Sequence, residues 1–80
     1  MRVKIFISLK QGVLDPQGKA IENSLHSLGY HEVHNVRVGK YIELEIDRAS
    51  PAARELRIRE FCDKLLTNPV IEDYRFEIEE

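Results

Sequence analysis

From Arg2 to Lys10 the apolar residues Val3, Ile5, Ile7 and Leu9 alternate with mainly polar neighbours, the period of two of a strand that buries one face. Gln11-Gly12-Val13-Leu14 forms a short connection. Asp15 is then placed to cap free N–H groups, and Pro16 to occupy a first helical turn, where its missing donor is not needed. Ile21, Leu25 and Leu28 recur at spacings of four and three, and Gly29 stands where a left-handed C-cap would sit. The pattern predicts a helix from Pro16 to about Leu28.

Val33, Val36 and Val38 precede Gly39-Lys40, after which Tyr41, Ile42, Leu44 and Ile46 alternate with Glu43, Glu45 and Asp47. This predicts either two strands joined by a turn at Gly39 or one long bent strand. Val33 is out of parity with Val36 and Val38, so a bulge is expected near His34 and Asn35. Ser50-Pro51 repeats the cap-then-proline signal, and Ile58, Phe61, Cys62, Leu65 and Leu66 fall on one face of a second helix. Thr67-Asn68-Pro69 stops that helix, because proline lacks the N–H and disfavours helical geometry in the residue before it. A last strand carries Ile71, Tyr74, Phe76 and Ile78 against Arg75, Glu77 and Glu79.

The order βαββαβ predicts a ferredoxin-like α+β two-layer sandwich, an antiparallel sheet with two helices on one face, spanning residues 1–80 as a single domain. In the strand order 4-1-3-2 the first strand lies between the third and fourth. Lys4 and Lys10 then stand between Glu43, Glu45 and Asp47 on one side and Glu77 and Glu79 on the other, with Phe6 the apolar exception. Such a face is either solvated or packed on a second subunit. A domain of this size buries only about 60% of its unfolded surface, and its single cysteine, Cys62, forms no internal disulfide. Self-association into a dimer is the expected remedy.

Net charge is −2, with both signs interspersed, which leaves no sustained positive field for nucleic acid or anionic lipid. Outward Glu43, Glu45 and Asp47 also oppose an RNA backbone, and Phe6 is the one aromatic platform on those strands. The first residues pass straight into a strand pattern, with no apolar signal region and no spanning segment. A cytoplasmic protein is expected.

Lys10-Gln11-Gly12-Val13 resembles the phosphate-cradling loop of acylphosphatases, but Asp15-Pro16 stands where the anion-binding arginine would fall. On extended backbone His31 and His34 point to opposite faces, so they converge on a metal only if the chain turns there. Cys62 lies mid-stripe and reads as core. No nucleophile-base pairing, paired-carboxylate site or nucleotide loop is evident. No catalytic residue, metal ligand or cofactor is expected on this chain.

Three segments carry a resemblance: Val13-Leu14-Asp15-Pro16-Gln17-Gly18, Val36-Arg37-Val38-Gly39-Lys40-Tyr41-Ile42-Glu43-Leu44 and Leu65-Leu66-Thr67-Asn68-Pro69-Val70-Ile71-Glu72-Asp73-Tyr74. In this order and at this length they closely resemble the PurS family. The resemblance implies a non-catalytic small subunit of phosphoribosylformylglycinamidine synthase, in de novo purine biosynthesis. It would bridge, as a dimer, a large ATP-dependent synthetase subunit and a glutaminase subunit and support ammonia transfer, with ATP and magnesium held by the large subunit. Expected partner contacts are Asp15, Gln17, Gly18 and Lys19 at the helix start, Arg37, Gly39 and Lys40 at the turn, and Asn68, Glu72 and Tyr74. Asp15, Gly39 and Asn68 also have ready structural uses as cap, turn and helix stop. Arg37 and Lys40 have the least structural reason to be there. A free-standing small-molecule-sensing dimer is the alternative reading.

Overall fold

The alternating segment Arg2–Leu9 forms strand β1, flanked on one side by β2 (Lys40–Glu45) and on the other by β3 (Glu72–Glu79), in a computed structural model that describes residues 1–47 and 50–79. Both pairings are antiparallel, from Arg2↔Glu45 to Ile7↔Lys40 and from Arg2↔Glu79 to Leu9↔Glu72. The strand order β2-β1-β3 places β1 centrally, as the ferredoxin-like order expected from sequence has it. Helix α1 spans Pro16–Ser27 and α2 spans Pro51–Phe61. Cys62–Leu66 continues α2 as one wide π turn, closed where the Thr67 N–H and hydroxyl both donate to the Cys62 carbonyl.

Val3, Ile5 and Ile7 on β1 and Ile58 and Cys62 above them form the buried core, ringed by half-buried Ile42, Leu44, Leu66, Tyr74, Phe76 and Ile78. Period two on the strand and period four on the helix bring these side chains to one layer. Burial pushes the Cys62 thiol pKa up, so the group stays a protonated, hydrophobe-like filler.

Three sequence expectations are corrected. Val33–Val38 is not a strand: its N–H groups at Val36 and Val38 donate to the side chains of Glu22 and Asp15, and Asn35 turns the chain at φ 57°. The chain then passes through Gly39 into β2, so the sheet has three strands among the described residues. Second, α1 does not lie on this sheet. Of its residues only Gly18 is buried, while Ile21 and Leu28, predicted to face a core, are exposed. Third, the predicted stripe of the second helix loses Leu65, which is 82% exposed, because the wide turn inserts extra residues per revolution and swings it outward.

Helix α1 and the segment 33–38 therefore form an arm beside the sheet, and the chain measures 51 × 26 × 15 Å. Polar bonds hold the arm together: Glu22 accepts from Val36 N–H at 3.3 Å, and the His26 Nε2–H donates to the Val33 carbonyl at 2.7 Å. Gly18 lies so close to the Val36 carbonyl oxygen that a Cβ there would collide with it. These contacts make Val33–Val38 a strap along the helix.

Candidate partner interface

The three segments singled out from sequence meet at one corner, where β1 ends and β2 and β3 begin. The loop after β1 turns through Gly12 at φ 86°, with Val13 N–H bonded to the Lys10 carbonyl at 3.2 Å. The Arg37 guanidinium donates to the carbonyls of Val13 at 3.0 Å and Lys10 at 3.2 Å. Arg37 thus has a structural use that its sequence context hid. It ties the strap to the loop.

Asp15 is the root of the arm. Its carboxylate accepts the N–H of Gly18 at 2.9 Å, capping α1, and that of Val38 at 2.7 Å, fixing the strap. The Val38 N–H, then the Gly18 N–H, hold its pKa below the ordinary carboxylate value. At Gly39 a side chain would place its Cβ 2.6 Å from the Ile7 carbonyl oxygen, so the strap enters β2 against the end of β1 only because nothing is there.

On the β3 side, Lys10 N–H donates to the Ile71 carbonyl at 2.8 Å. Asn68 accepts the Val70 N–H through Oδ1, and its own N–H donates to Glu72 at 2.7 Å. The Asn68 N–H, assisted by Lys40 at 3.4 Å, lowers the Glu72 pKa. Lys40, on β2, and Glu72, on β3, close the corner across the end of β1. Burial raises the Tyr74 hydroxyl pKa, and Asp63 adds to the shift.

Asp15, Gln17, Gly39, Lys40 and Glu72 share the rim of an open hollow of about 260 Å³. Tyr74 and Glu72 line a neighbouring one of about 300 Å³ with Lys10 and Arg59. Asn68 joins the corner through Glu72. Lys19 does not: it points along the arm to Glu22, 3.5 Å away. Gly18 is used inside the arm. The corner has charged and amide groups at its rim, a shaped polar surface on which, among the described residues, no nucleophile is paired with a base.

Sequence reasoning overlooked Glu22 and His26. Asp15, Gly18, Glu22 and His26 recur at spacings of three, four and four, which puts them on one helical face, and that face holds the strap. The histidines also differ from expectation: the chain turns after α1, so His31 and His34 bring their ring centres to 6.0 and 6.1 Å from that of His26. Among the described residues no group of three His, Cys, Asp or Glu side chains is arranged to hold a metal ion.

On the helix-free sheet face Lys4 stands between Glu43 and Glu77 as expected and Phe6 is apolar, whereas Lys10 lies past the end of β1 beside the start of β3, away from Glu43, Glu45, Glu77 and Glu79. Lys4 pairs with Glu79 at 2.6 Å and Lys10 with Asp73 at 3.5 Å. Phe6 is sandwiched between the Arg75 guanidinium, 4.0 Å from its ring centre, and the Tyr41 ring, 5.1 Å away. That stack crosses all three strands at one register position.

Residues 2–80 match the family model for PurS, described as phosphoribosylformylglycinamidine (FGAM) synthase. The phosphoribosylformylglycinamidine synthase subunit PurS of Bacillus subtilis is 53% identical over 79 residues, covering 99% of this chain and 93% of that protein. The B. subtilis PurS structure in its C2 crystal form superposes with a TM-score of 0.89 at 52% identity, covering 99% of this chain and 98% of that one. A chain in the structure of PurLQS from Thermotoga maritima matches with a TM-score of 0.85 at 30% identity, over 95% of this chain and 93% of that chain. With the family model matched along nearly its whole length and more than half of its residues shared with a PurS subunit, the chain belongs to the PurS family.

Proposed function

We propose that this chain is the small, non-catalytic subunit of FGAM synthase in purine biosynthesis, bridging a large ATP-dependent synthetase subunit and a glutaminase subunit as a self-associated adaptor in the cytoplasm. The observation that carries the proposal is the family match from residue 2 to residue 80. The corner of the fold supports it independently, since it gathers residues of three distant segments without assembling groups for chemistry. ATP and magnesium are assigned to the large subunit. None of the helices among the described residues is long and apolar enough to cross a membrane.

An adaptor of this kind acts by geometry. Holding a glutaminase site and a synthetase site in one assembly keeps released ammonia at a high effective concentration where it is consumed. The test is synthase turnover with formylglycinamide ribonucleotide, ATP and magnesium, using glutamine or ammonium as nitrogen donor, with and without this chain. Glutamine-driven turnover should require the chain, whereas ammonium-driven turnover should largely persist without it. If neither reaction responds and no complex forms, the adaptor assignment fails.

A further inference from the structure

The loop Lys10-Gln11-Gly12-Val13 has the glycine turn of a phosphate cradle but no arginine at the expected place in sequence. The fold supplies one from the strap. Arg37 reaches back across 24 and 27 residues to the loop's own carbonyls, at Val13 and Lys10. Those two bonds fix the orientation of a planar guanidinium with five N–H donors, and they leave the other three free.

The loop itself is a β-turn, closed by the Val13 N–H on the Lys10 carbonyl at 3.2 Å, with Gly12 at φ 86° in its third position. Neither the Gln11 nor the Gly12 N–H is bonded among the described residues. On the strap Asn35 is also left-handed, at φ 57°, and its carboxamide, like that of Gln11, makes no hydrogen bond among the described residues. Ser8, Leu9, Gln11, Gly12, Asn35 and Arg37 line one open hollow of about 600 Å³, a volume in the range of small-molecule sites.

No carboxylate lines this hollow. Asp15, which feels the charge of Arg37, has its oxygens turned to Gly18 and Val38. Asp73, opposite Ser8 on β3, is paired with Lys10 at 3.5 Å. A guanidinium held in place by backbone carbonyls, with neutral amide and hydroxyl groups around it and no acid on the rim, is complementary to an oxoanion.

We propose that this hollow is an oxoanion site for a small carboxylate or phosphate, with the free edge of Arg37 as its charged anchor and the groups of Gln11, Gly12 and Asn35 as neutral donors. Arg37 then has two duties. Its carbonyl bonds order the loop, and its remaining donors hold the ligand. The site goes beyond the adaptor assignment, since it belongs to one chain and needs neither of the other subunits.

The test titrates sodium acetate and sodium phosphate separately into the isotope-labelled full chain at constant pH and ionic strength, with sodium chloride as control, and follows the backbone amide and Arg37 Nε–H resonances. The Gln11, Gly12 and Arg37 signals should move along one saturating curve with at least one oxoanion and stay still in chloride. Saturation with acetate alone assigns a carboxylate ligand, with phosphate alone a phosphate ligand, and with both a site open to either. Arg37→Gln should weaken binding about tenfold. Because that change also cuts the loop ties, Asn35→Gly is the second variant: glycine keeps the left-handed turn while the carboxamide is lost. Its binding should weaken about threefold, with resonances distant from the hollow unchanged. Shifts that match those in chloride, that rise without saturating or that centre on other residues would each overturn the site, as would either variant binding as tightly as the unaltered chain. All of these readings come from the chain alone, so their failure leaves the adaptor assignment in place, and loss of glutamine-driven turnover leaves the site in place.

Discussion

The Asp15 carboxylate accepts the N–H of Val38 across 23 residues of sequence while its other oxygen caps α1 at Gly18. One side chain therefore begins the helix and anchors the strap that returns along it. Asp15→Ala removes both acceptors. Thermal unfolding of this variant should fall by about 4–8 °C for each interaction of ordinary capping strength, and Asp15→Asn, which retains one oxygen, should lose about half as much.

The same carboxylate makes stability depend on acid. Asp15 and Glu72 have pKa values lowered on folding, Asp15 chiefly by the Val38 N–H and Glu72 chiefly by the Asn68 N–H. A group of that kind contributes fully above its unfolded pKa, about 3.8 and 4.5 here, and loses its contribution as pH falls through the lower folded value. The melting temperature should be flat in these terms between pH 6 and 8 and decline below about pH 5. Asp15→Asn and Glu72→Gln together should flatten that decline, as read by melting curves across pH.

Arg37 holds the loop after β1 through the Val13 and Lys10 carbonyls. Arg37→Ala should free that loop and shift the corner that the adaptor presents. Glutamine-driven turnover should fall about tenfold, inside the ~10²-fold that a displacement of ~1 Å can cost. Ammonium-driven turnover by the same preparation should hold. Equal loss in both would place the effect in the large subunit's chemistry instead.

Core and turn substitutions should differ in size. Ile58→Ala empties a fully buried position and should cost about 2–5 kcal/mol. Gly39→Ala forces a methyl toward the Ile7 carbonyl and should cost about 1–3 kcal/mol. Urea unfolding, with the slope of each curve checked for constancy, gives the comparison.

The local signals were legible wherever a side chain's duty was to its own element. Asp15-Pro16 and Ser50-Pro51 start the helices as their sequence suggests, each cap accepting an N–H three residues on, the alternation of β1 and β2 gave strand and buried face correctly, and the ferredoxin-like order gave the central place of β1. The strap was misread because Val36 and Val38 have strand character while their hydrogen bonds go to Asp15 and Glu22, and that competition depends on tertiary position. Leu65 was misplaced because nothing in the local pattern announces a π turn. Residues of the corner were found through family resemblance, yet the use of Arg37 as a clamp needed coordinates, since its acceptors lie 24 and 27 residues away.

The pairing of β1 with β3 also sets the order of events during synthesis. Arg2 lies opposite Glu79 and Val3 opposite Ile78, so β1 must wait for β3, made about seventy residues later, before its second edge is paired. Such distant pairings slow folding, because the loop between them must be closed before its contacts return any stabilisation. On the ribosome α1 and the strap can assemble early through Asp15, Glu22 and Gly18, whereas one edge of β1 stays unpaired until β3 has been released. Slowing translation between Pro51 and Glu72 should therefore lengthen the time for which β1 is a target for chaperones.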